Sequence, residues 1–311
     1  MALLVFLSII YISLFLLILS GSFFAYLKTF YFPKGKKVLP FFAKNEREEE
    51  ILKSLFSSRE LLKAQKFEEV FTRSHDNLPL FGRYYHVKSG APLFIEFHGY
   101  KGEAFRDFCA CDMVFKSLGC NTLLVDQRAH GKSGGKTISF GVNEHLDCLA
   151  WVRWANERFG DVPVFLAGIS MGGATVLTAA CLNLPKNVRG IISDCAFSSP
   201  KEIICKVLSD RHLPKKLLYP LVYLGAFLFG GFYLNARSAV LSVKSAQVPI
   251  LLLHGKSDTF VPHEMSEKIY KSCSGERKIF TFEGAGHGFS FATDAPRYEH
   301  AVKDFVLSHL N

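Results

Sequence analysis

Two stretches of the chain place a serine between glycines in the pattern Gly-x-Ser-x-Gly: Gly131-Lys132-Ser133-Gly134-Gly135 and Gly168-Ile169-Ser170-Met171-Gly172. A serine hydroxyl so placed can attack a carbonyl carbon when a strand runs directly into it and a helix starts directly after it. The sharp turn between the two lifts the hydroxyl to the top of the sheet. Pro163-Val164-Phe165-Leu166-Ala167 leads straight into Gly168, and Gly172-Gly173-Ala174-Thr175-Val176-Leu177 follows as a close-packing helix start, so Ser170 meets both conditions. Ser133 stands apart from its strand, behind Gln127-Arg128-Ala129-His130, and is expected in a structural loop.

A hydroxyl is a poor nucleophile at neutral pH and needs a histidine base, which in turn needs an acceptor that fixes its tautomer. Asp258 follows the apolar run Ile250-Leu251-Leu252-Leu253 through His254-Gly255-Lys256-Ser257, at the carboxyl end of a buried strand. His287 follows the run Ile279 to Phe282 in Gly284-Ala285-Gly286-His287-Gly288, on the same edge, where ligands of open α/β sheets collect. Two plainer roles stay open: Asp258 as the cap of a helix beginning near Pro262, and His287 as a surface histidine in a glycine loop. The tetrahedral oxyanion further requires two backbone N–H donors. Met171, directly after the serine, supplies one; Tyr100, in the turn His98-Gly99-Tyr100 after the strand Phe94 to Phe97, supplies the other. For His98 the expected part is a hydrogen bond that braces this loop.

These residues need a sheet to hold them. From Phe67 onward short β-rich runs recur at Val70 to Thr72, Leu80 to Val87, Leu93 to Phe97, Thr122 to Val125, Val164 to Leu166, Ile191-Ile192, Ile250 to Leu253 and Ile279 to Phe282. Helix-length segments lie between the later ones, at Phe105 to Leu118, Val142 to Arg158, Ala174 to Leu182 and Glu264 to Lys271. Alternation of this kind predicts an α/β fold with a mostly parallel sheet, an opening hairpin adding an antiparallel edge. About fifty residues separate Asp194 from Pro249, longer than a plain connection, so an inserted helical lid is expected over residues 198–246.

The chain resembles the alpha/beta-hydrolase superfamily, in particular a membrane-anchored serine esterase or lipase-like branch. The resemblance rests on His98-Gly99-Tyr100, Asp126-Gln127-Arg128-Ala129-His130-Gly131-Lys132-Ser133, Gly168-Ile169-Ser170-Met171-Gly172-Gly173, His254-Gly255-Lys256-Ser257-Asp258-Thr259-Phe260-Val261-Pro262 and Gly286-His287, over roughly residues 70–311. Ala129 departs from the pattern, where the family usually has glycine. The resemblance implies hydrolysis of a small-molecule acyl ester through an acyl-enzyme, with no metal and no organic cofactor. The same triad cleaves thioesters and peptides, and a silent membrane-bound binding protein could keep the fold, although the intact serine, acid and histidine argue against that.

No charged side chain occurs before Lys28, and a helix from Ala2 to Leu27 would be about 39 Å long, enough to cross a hydrocarbon core of about 30 Å. A cleaved signal peptide is the rival, and it would want a basic leading segment that is missing here. Lys28, Lys34, Lys36 and Lys37 follow the span, so a single-pass topology with the domain facing the cytoplasm is expected. The expected organisation is an anchor at 1–27, a basic juxtamembrane segment and amphipathic linker helix at 28–66, and a hydrolase domain at 67–311.

Within the insertion, Leu217 to Leu234 carries no charge. A second crossing there would put Ser170 and Asp258 on opposite sides of the membrane and is excluded on that ground. The insertion then reads either as an ordinary apolar cover over the core, or as a lid whose basic half meets anionic headgroups while its aromatic half admits acyl chains. The formal charge of +9, from 37 Lys+Arg against 28 Asp+Glu, gathers beside the anchor and in the insertion, without a nucleic-acid-binding motif. A lipid membrane is the better partner, and nucleic acid is not expected. Eight cysteines without any CxxC read as buried hydrophobes in a reducing compartment, with Cys109-Ala-Cys111 unaccompanied by a second ligand pair.

Overall fold

The computed structural model describes residues 1–36 and 46–310. Lys37 and the start expected for the linker helix at Ala43 lie outside the described residues. Eight strands form one sheet: β1 (Glu68–Arg73), β2 (Pro79–Tyr85), β3 (Leu93–Phe97), β4 (Asn121–Asp126), β5 (Val164–Ile169), β6 (Val188–Asp194), β7 (Ile250–Gly255) and β8 (Arg277–Phe282). Their spatial order is β1-β2-β4-β3-β5-β6-β7-β8. The β1–β2 and β2–β4 pairs are antiparallel, and every pair beyond β4 is parallel.

Every residue of β3, β4, β5 and β7 is buried, as central parallel strands covered on both faces must be. Alternate side chains therefore feed two cores. Ile95, Leu166 and Leu252 pack with Trp151 and Val176 on one face, and Phe94, Phe165 and Leu251 pack with Phe115 and Phe305 on the other. Phe94 stacks between Phe115 and Phe165, with ring centroids 4.0 and 5.1 Å away. The chain leaves β3 towards β4 on one side, while β5 lies on the other side of β3. That reversal of strand order opens a crevice above the carboxyl ends of β3 and β5.

The helices are α1 (Ala2–Thr29), α2 (Glu46–Ala64), α3 (Ala104–Phe108), α4 (Cys111–Ser117), α5 (Glu144–Phe159), α6 (Met171–Ala179), α7 (Pro200–Asp210), α8 (Lys215–Leu228), α9 (Ala239–Ser242), α10 (Glu264–Ser272), α11 (Ser290–Thr293) and α12 (Ala295–Ser308). The single helix expected over Phe105 to Leu118 is broken into α3 and α4, and the break lets Asp107 turn its carboxylate to the Gly99 N–H at 2.6 Å. The C-terminal α12 has no counterpart among the expected helices. Its start is nonetheless written in the chain: Asp294 accepts the Arg297 N–H, and Pro296 sits in the first turn.

Between β6 and β7 the insertion carries α7, α8 and α9. Ser199 caps α7 by accepting the Glu202 N–H, with Pro200 behind it. The apolar run from Leu217 is helical only to Leu228; α8 has 14 residues, about 21 Å, short of a crossing. Among the described residues α1 alone is long and apolar enough to cross a membrane.

The end of α1 is part of the folded domain. Its side chains are exposed as far as Ile18, whereas Ser22, Tyr26, Phe30 and Phe32 are buried. Helix α8 lies against these last turns: a Cβ on Gly225 would overlap the Ser22 carbonyl, and the Phe229 ring meets Phe23 at 4.9 Å and Tyr26 at 6.1 Å. Beyond the helix, the Phe32 N–H donates to the Lys136 carbonyl and the Ile138 N–H to the Phe30 carbonyl, both at 2.8 Å. The exposed run Ala2 to Ile18 spans about 26 Å on its own.

Candidate active site

Ser170 stands between the last residue of β5 and the first of α6, with φ 55° and ψ −115°. That left-handed backbone is disfavoured for a residue with a Cβ, and the surroundings hold it. Its N–H donates to the Asp194 carbonyl at 2.8 Å. The glycines of the motif are there for space: a Cβ on Gly172 would overlap the Phe97 carbonyl, and one on Gly168 would overlap the Gly172 carbonyl.

The Ser170 hydroxyl lies 2.9 Å from His287 Nε2, and His287 Nδ1 lies 2.7 Å from Asp258 Oδ2. The structure thus brings together three residues from the ends of three strands, 29 and 117 positions apart pairwise. Asp258 Oδ1 accepts the N–H groups of Phe260 and Val261, both at 2.9 Å. Burial alone would raise this carboxyl, but the charge of His287 and the hydrogen bonds of His254 and His287 outweigh it and hold Asp258 well below the usual carboxylate range. Burial works the other way on His287, and there too Asp258 wins, so the imidazole sits above its ordinary value. A serine hydroxyl bonded to a basic imidazole, itself bonded to an ionised carboxylate, is an arrangement able to make the serine nucleophilic.

Several supporting groups were not singled out by sequence reasoning. His254 Nε2 donates to the Val261 carbonyl at 2.8 Å and lies 3.2 Å from Asp258 Oδ2, while Ser266 Oγ donates to its Nδ1 at 2.6 Å. Asp194, at the end of β6, accepts Ser290 Oγ at 2.9 Å just past the loop that carries His287, and burial pushes its carboxyl up to about 6. His254 opens one of the motifs that carry the resemblance, without a role assigned there, and the sequence signal for Asp194 is its place at a strand's carboxyl end.

The turn after β3 passes over Ser170, where a Cβ on Gly99 would lie 3.4 Å from the serine Cβ. The Gly99 N–H is committed to Asp107, whereas the amides of Tyr100 and Met171 meet no acceptor among the described residues. Two neutral histidines scaffold this turn. His98 Nε2 accepts the Gln127 N–H at 3.1 Å, and its Nδ1 faces the Gly99 carbonyl at 2.8 Å. His130 Nε2 accepts the Lys101 N–H at 3.1 Å, with its Nδ1 on the Arg128 carbonyl at 2.8 Å. Burial lowers the pKa of both rings, which keeps the accepting nitrogens unprotonated.

The second Gly-x-Ser-x-Gly serine is a pin. Ser133 is fully buried, accepts the Phe81 N–H at 2.9 Å and donates to the Asp126 carbonyl at 2.5 Å. Ala129 has φ 65°, the left-handed conformation that a glycine would adopt freely.

Among the described residues two groups of side chains have the chemistry of metal ligands. Cys195, Asp258 and His287 bring their ligand atoms within 4.8 Å of one another, but Asp258 and His287 are bonded to each other and burial keeps Cys195 a neutral thiol. In the second group, with His75, the carboxylates of Asp76 and Asp147 already clasp the Arg128 guanidinium. Cys109 and Cys111 are buried, and burial pushes the Cys109 thiol up to about 12.

Residues 92–228 match the model of the alpha/beta hydrolase fold, and residues 222–309 match that of the dienelactone hydrolase family. The chain is 27% identical over 195 residues to the uncharacterized protein YqkD of Bacillus subtilis, covering 62% of this chain and 64% of that one. It is 27% identical over 238 residues to the lysophosphatidylserine lipase ABHD12 of Danio rerio, covering 70% and 59%. These matches span under two thirds of either relative's length. Among solved structures, the esterase Pf2001 of Pyrococcus furiosus superposes with a TM-score of 0.66 at 20% identity, covering 90% of this chain and 99% of that one. Est1E of Butyrivibrio proteoclasticus, solved with ferulic acid bound, gives 0.59 at 21% identity, covering 78% and 99%.

Proposed function

Because this chain belongs to the alpha/beta-hydrolase superfamily, we propose that it is a serine hydrolase cleaving carboxylic esters of apolar, lipid-like acyl groups through an acyl-enzyme. The observation that carries this reading is the unbroken chain of two hydrogen bonds, Ser170 to His287 at 2.9 Å and His287 to Asp258 at 2.7 Å. Ser170 Oγ attacks the ester carbonyl carbon as its proton passes to His287 Nε2. The carbonyl oxygen becomes an oxyanion held by the amides of Tyr100 and Met171, each donor worth a few kcal/mol in the transition state. Collapse breaks the bond to the alkoxy oxygen, and the alcohol leaves with the proton from His287. Water, deprotonated by the same imidazole, then attacks the acyl carbon and frees the acid and Ser170. Throughout, Asp258 stays ionised and stabilises the imidazolium.

In this reading α1, long and apolar enough to cross a membrane, is the anchor, and the positive-inside rule applied to Lys28, Lys34 and Lys36 favours a domain facing the cytoplasm. Helices α7 and α8 form the lid. The Danio rerio relative is named for lysophosphatidylserine, an anionic lipid ester, and a substrate of that kind fits the charges beside Tyr100. Burial, together with Lys36, Arg211 and Lys28, lowers the Lys101 ammonium to about 8, a cationic group that an anionic headgroup would stabilise.

The test is turnover of a p-nitrophenyl ester series of rising acyl length by wild type and Ser170→Ala. The expected result is Ser170-dependent hydrolysis with an optimum at long acyl chains. Equal turnover by the two proteins would overturn the assignment.

A further inference from the structure

An α-helix ends with carbonyls that have no partner inside the helix. At the end of α1 two of them belong to Lys28 and Thr29. The residue four beyond Thr29 is Pro33, which has no N–H, and the Phe32 N–H that Lys28 would use is given to Lys136 instead. Both carbonyls are satisfied by side chains from the turn after β3. Tyr100 Oη donates to the Thr29 carbonyl at 2.7 Å, and Lys101 Nζ donates to the Lys28 carbonyl at 3.1 Å. The ammonium also meets the negative end of the helix dipole. The Tyr100 ring is wedged against Phe140 at 5.1 Å, and Phe140 rests on Phe30 at 5.8 Å, just past the helix end.

This turn needs holding. Lys101 has φ 48°, a left-handed conformation that is disfavoured for a residue with a Cβ. An oxyanion donor must lie within a few tenths of an ångström of its optimal distance to act. Any shift of the turn over Ser170 carries the Tyr100 amide with it.

We infer that the C-terminus of α1 is a positioning element of the reaction: the Thr29 and Lys28 carbonyls, through the side chains of Tyr100 and Lys101, set the Tyr100 amide as an oxyanion donor. The helix end thus acts on the site through the turn after β3. This inference rests on the serine-hydrolase reading above.

The experiment uses the full chain in detergent micelles, with a short neutral p-nitrophenyl ester and active sites counted by fluorophosphonate titration. Tyr100→Phe removes only the hydroxyl, and Lys101→Met removes the second contact while leaving Tyr100 intact. Tyr26→Phe is the control, since it removes the Tyr26–Thr137 hydroxyl contact of 2.8 Å on the same helix. The expected result is that kcat per titrated site falls about tenfold in Tyr100→Phe and in the same direction in Lys101→Met, with KM within about twofold. A trifluoromethyl ketone, which binds as a tetrahedral oxyanion, should lose affinity by the same factor, and Tyr26→Phe should match wild type. Unchanged kcat and ketone affinity in both variants would overturn the inference, as would an equal loss in Tyr26→Phe. Wild type without Ser170-dependent turnover would overturn the hydrolase reading and this one with it, whereas wild-type turnover with an unaffected Tyr100→Phe would overturn this one alone.

Discussion

The base of the proposed reaction is one imidazole whose two nitrogens are both spoken for. Nδ1–H donates to Asp258, so Nε2 carries the lone pair that faces Ser170. Catalysis requires that lone pair, and the raised pKa of His287 fixes where it is lost. The acid limb of kcat/KM should therefore have its midpoint above pH 6.5, with activity falling as pH drops through it. Asp258→Asn removes the charge that raises the imidazole and presents a donor to the wrong nitrogen. Its kcat should fall about 10⁴-fold, and the residual activity should titrate at lower pH, as a pH-rate series on both proteins would measure. A limb that stays in place would contradict the role given to Asp258. Ser170, Asp258 and His287 were legible in the sequence because glycine spacing and strand ends mark them. His254, Asp107 and His130 were not. Each works by a hydrogen bond whose partner becomes a neighbour only on folding, and Asp107 in isolation reads as one charge on a short helix.

Elements were legible where packing demands a continuous apolar run. β3 and β7 match the runs read from the sequence because strands covered on both faces admit few polar side chains. The division of Phe105 to Leu118 was not legible, since no glycine or proline marks it and the Asp107 contact to Gly99 forms only on folding. Within β3 the exception is Glu96, fully buried on the face that α4 covers, beside Asp112, which pairs with Lys116 at 2.7 Å. Burial first, and the Asp112 charge second, raise the Glu96 carboxyl well above its ordinary value, so the folded chain keeps a proton there that the unfolded chain releases. Stability supplied by that proton is present at low pH and is lost as pH rises from about 4.5 through the folded value, by up to about 1.4 kcal/mol per pH unit. Glu96→Gln stays neutral at every pH. Thermal unfolding followed by circular dichroism from pH 5 to 9 should show a Tm that declines with pH in wild type and declines less in the variant; parallel curves would exclude this role.

For the whole molecule, the mostly parallel sheet with its antiparallel opening hairpin and the apolar α1 were legible from the alternation of strand and helix runs and from composition, whereas the strand order was not. The seating of α1 was not, because Phe30 and Phe32 lie next to an apolar helix and look like its continuation, yet both are buried in the core of the domain. Gly21, Ser22 and Gly225 are small residues whose purpose appears only when α8 is laid beside α1. Among the described residues the last turns of α1 pack on α8 and on the turn after β3, so these three elements are held at fixed distances from one another. The proposed function depends on Ser170 being an activated nucleophile. The most direct measurement is reaction of the full chain with a fluorophosphonate, read by intact mass and peptide mapping, beside Ser170→Ala of the same thermal stability. The expected result is one covalent adduct, on Ser170, absent from the variant. A folded wild type that takes no adduct, or takes it at another residue, would contradict the proposed function.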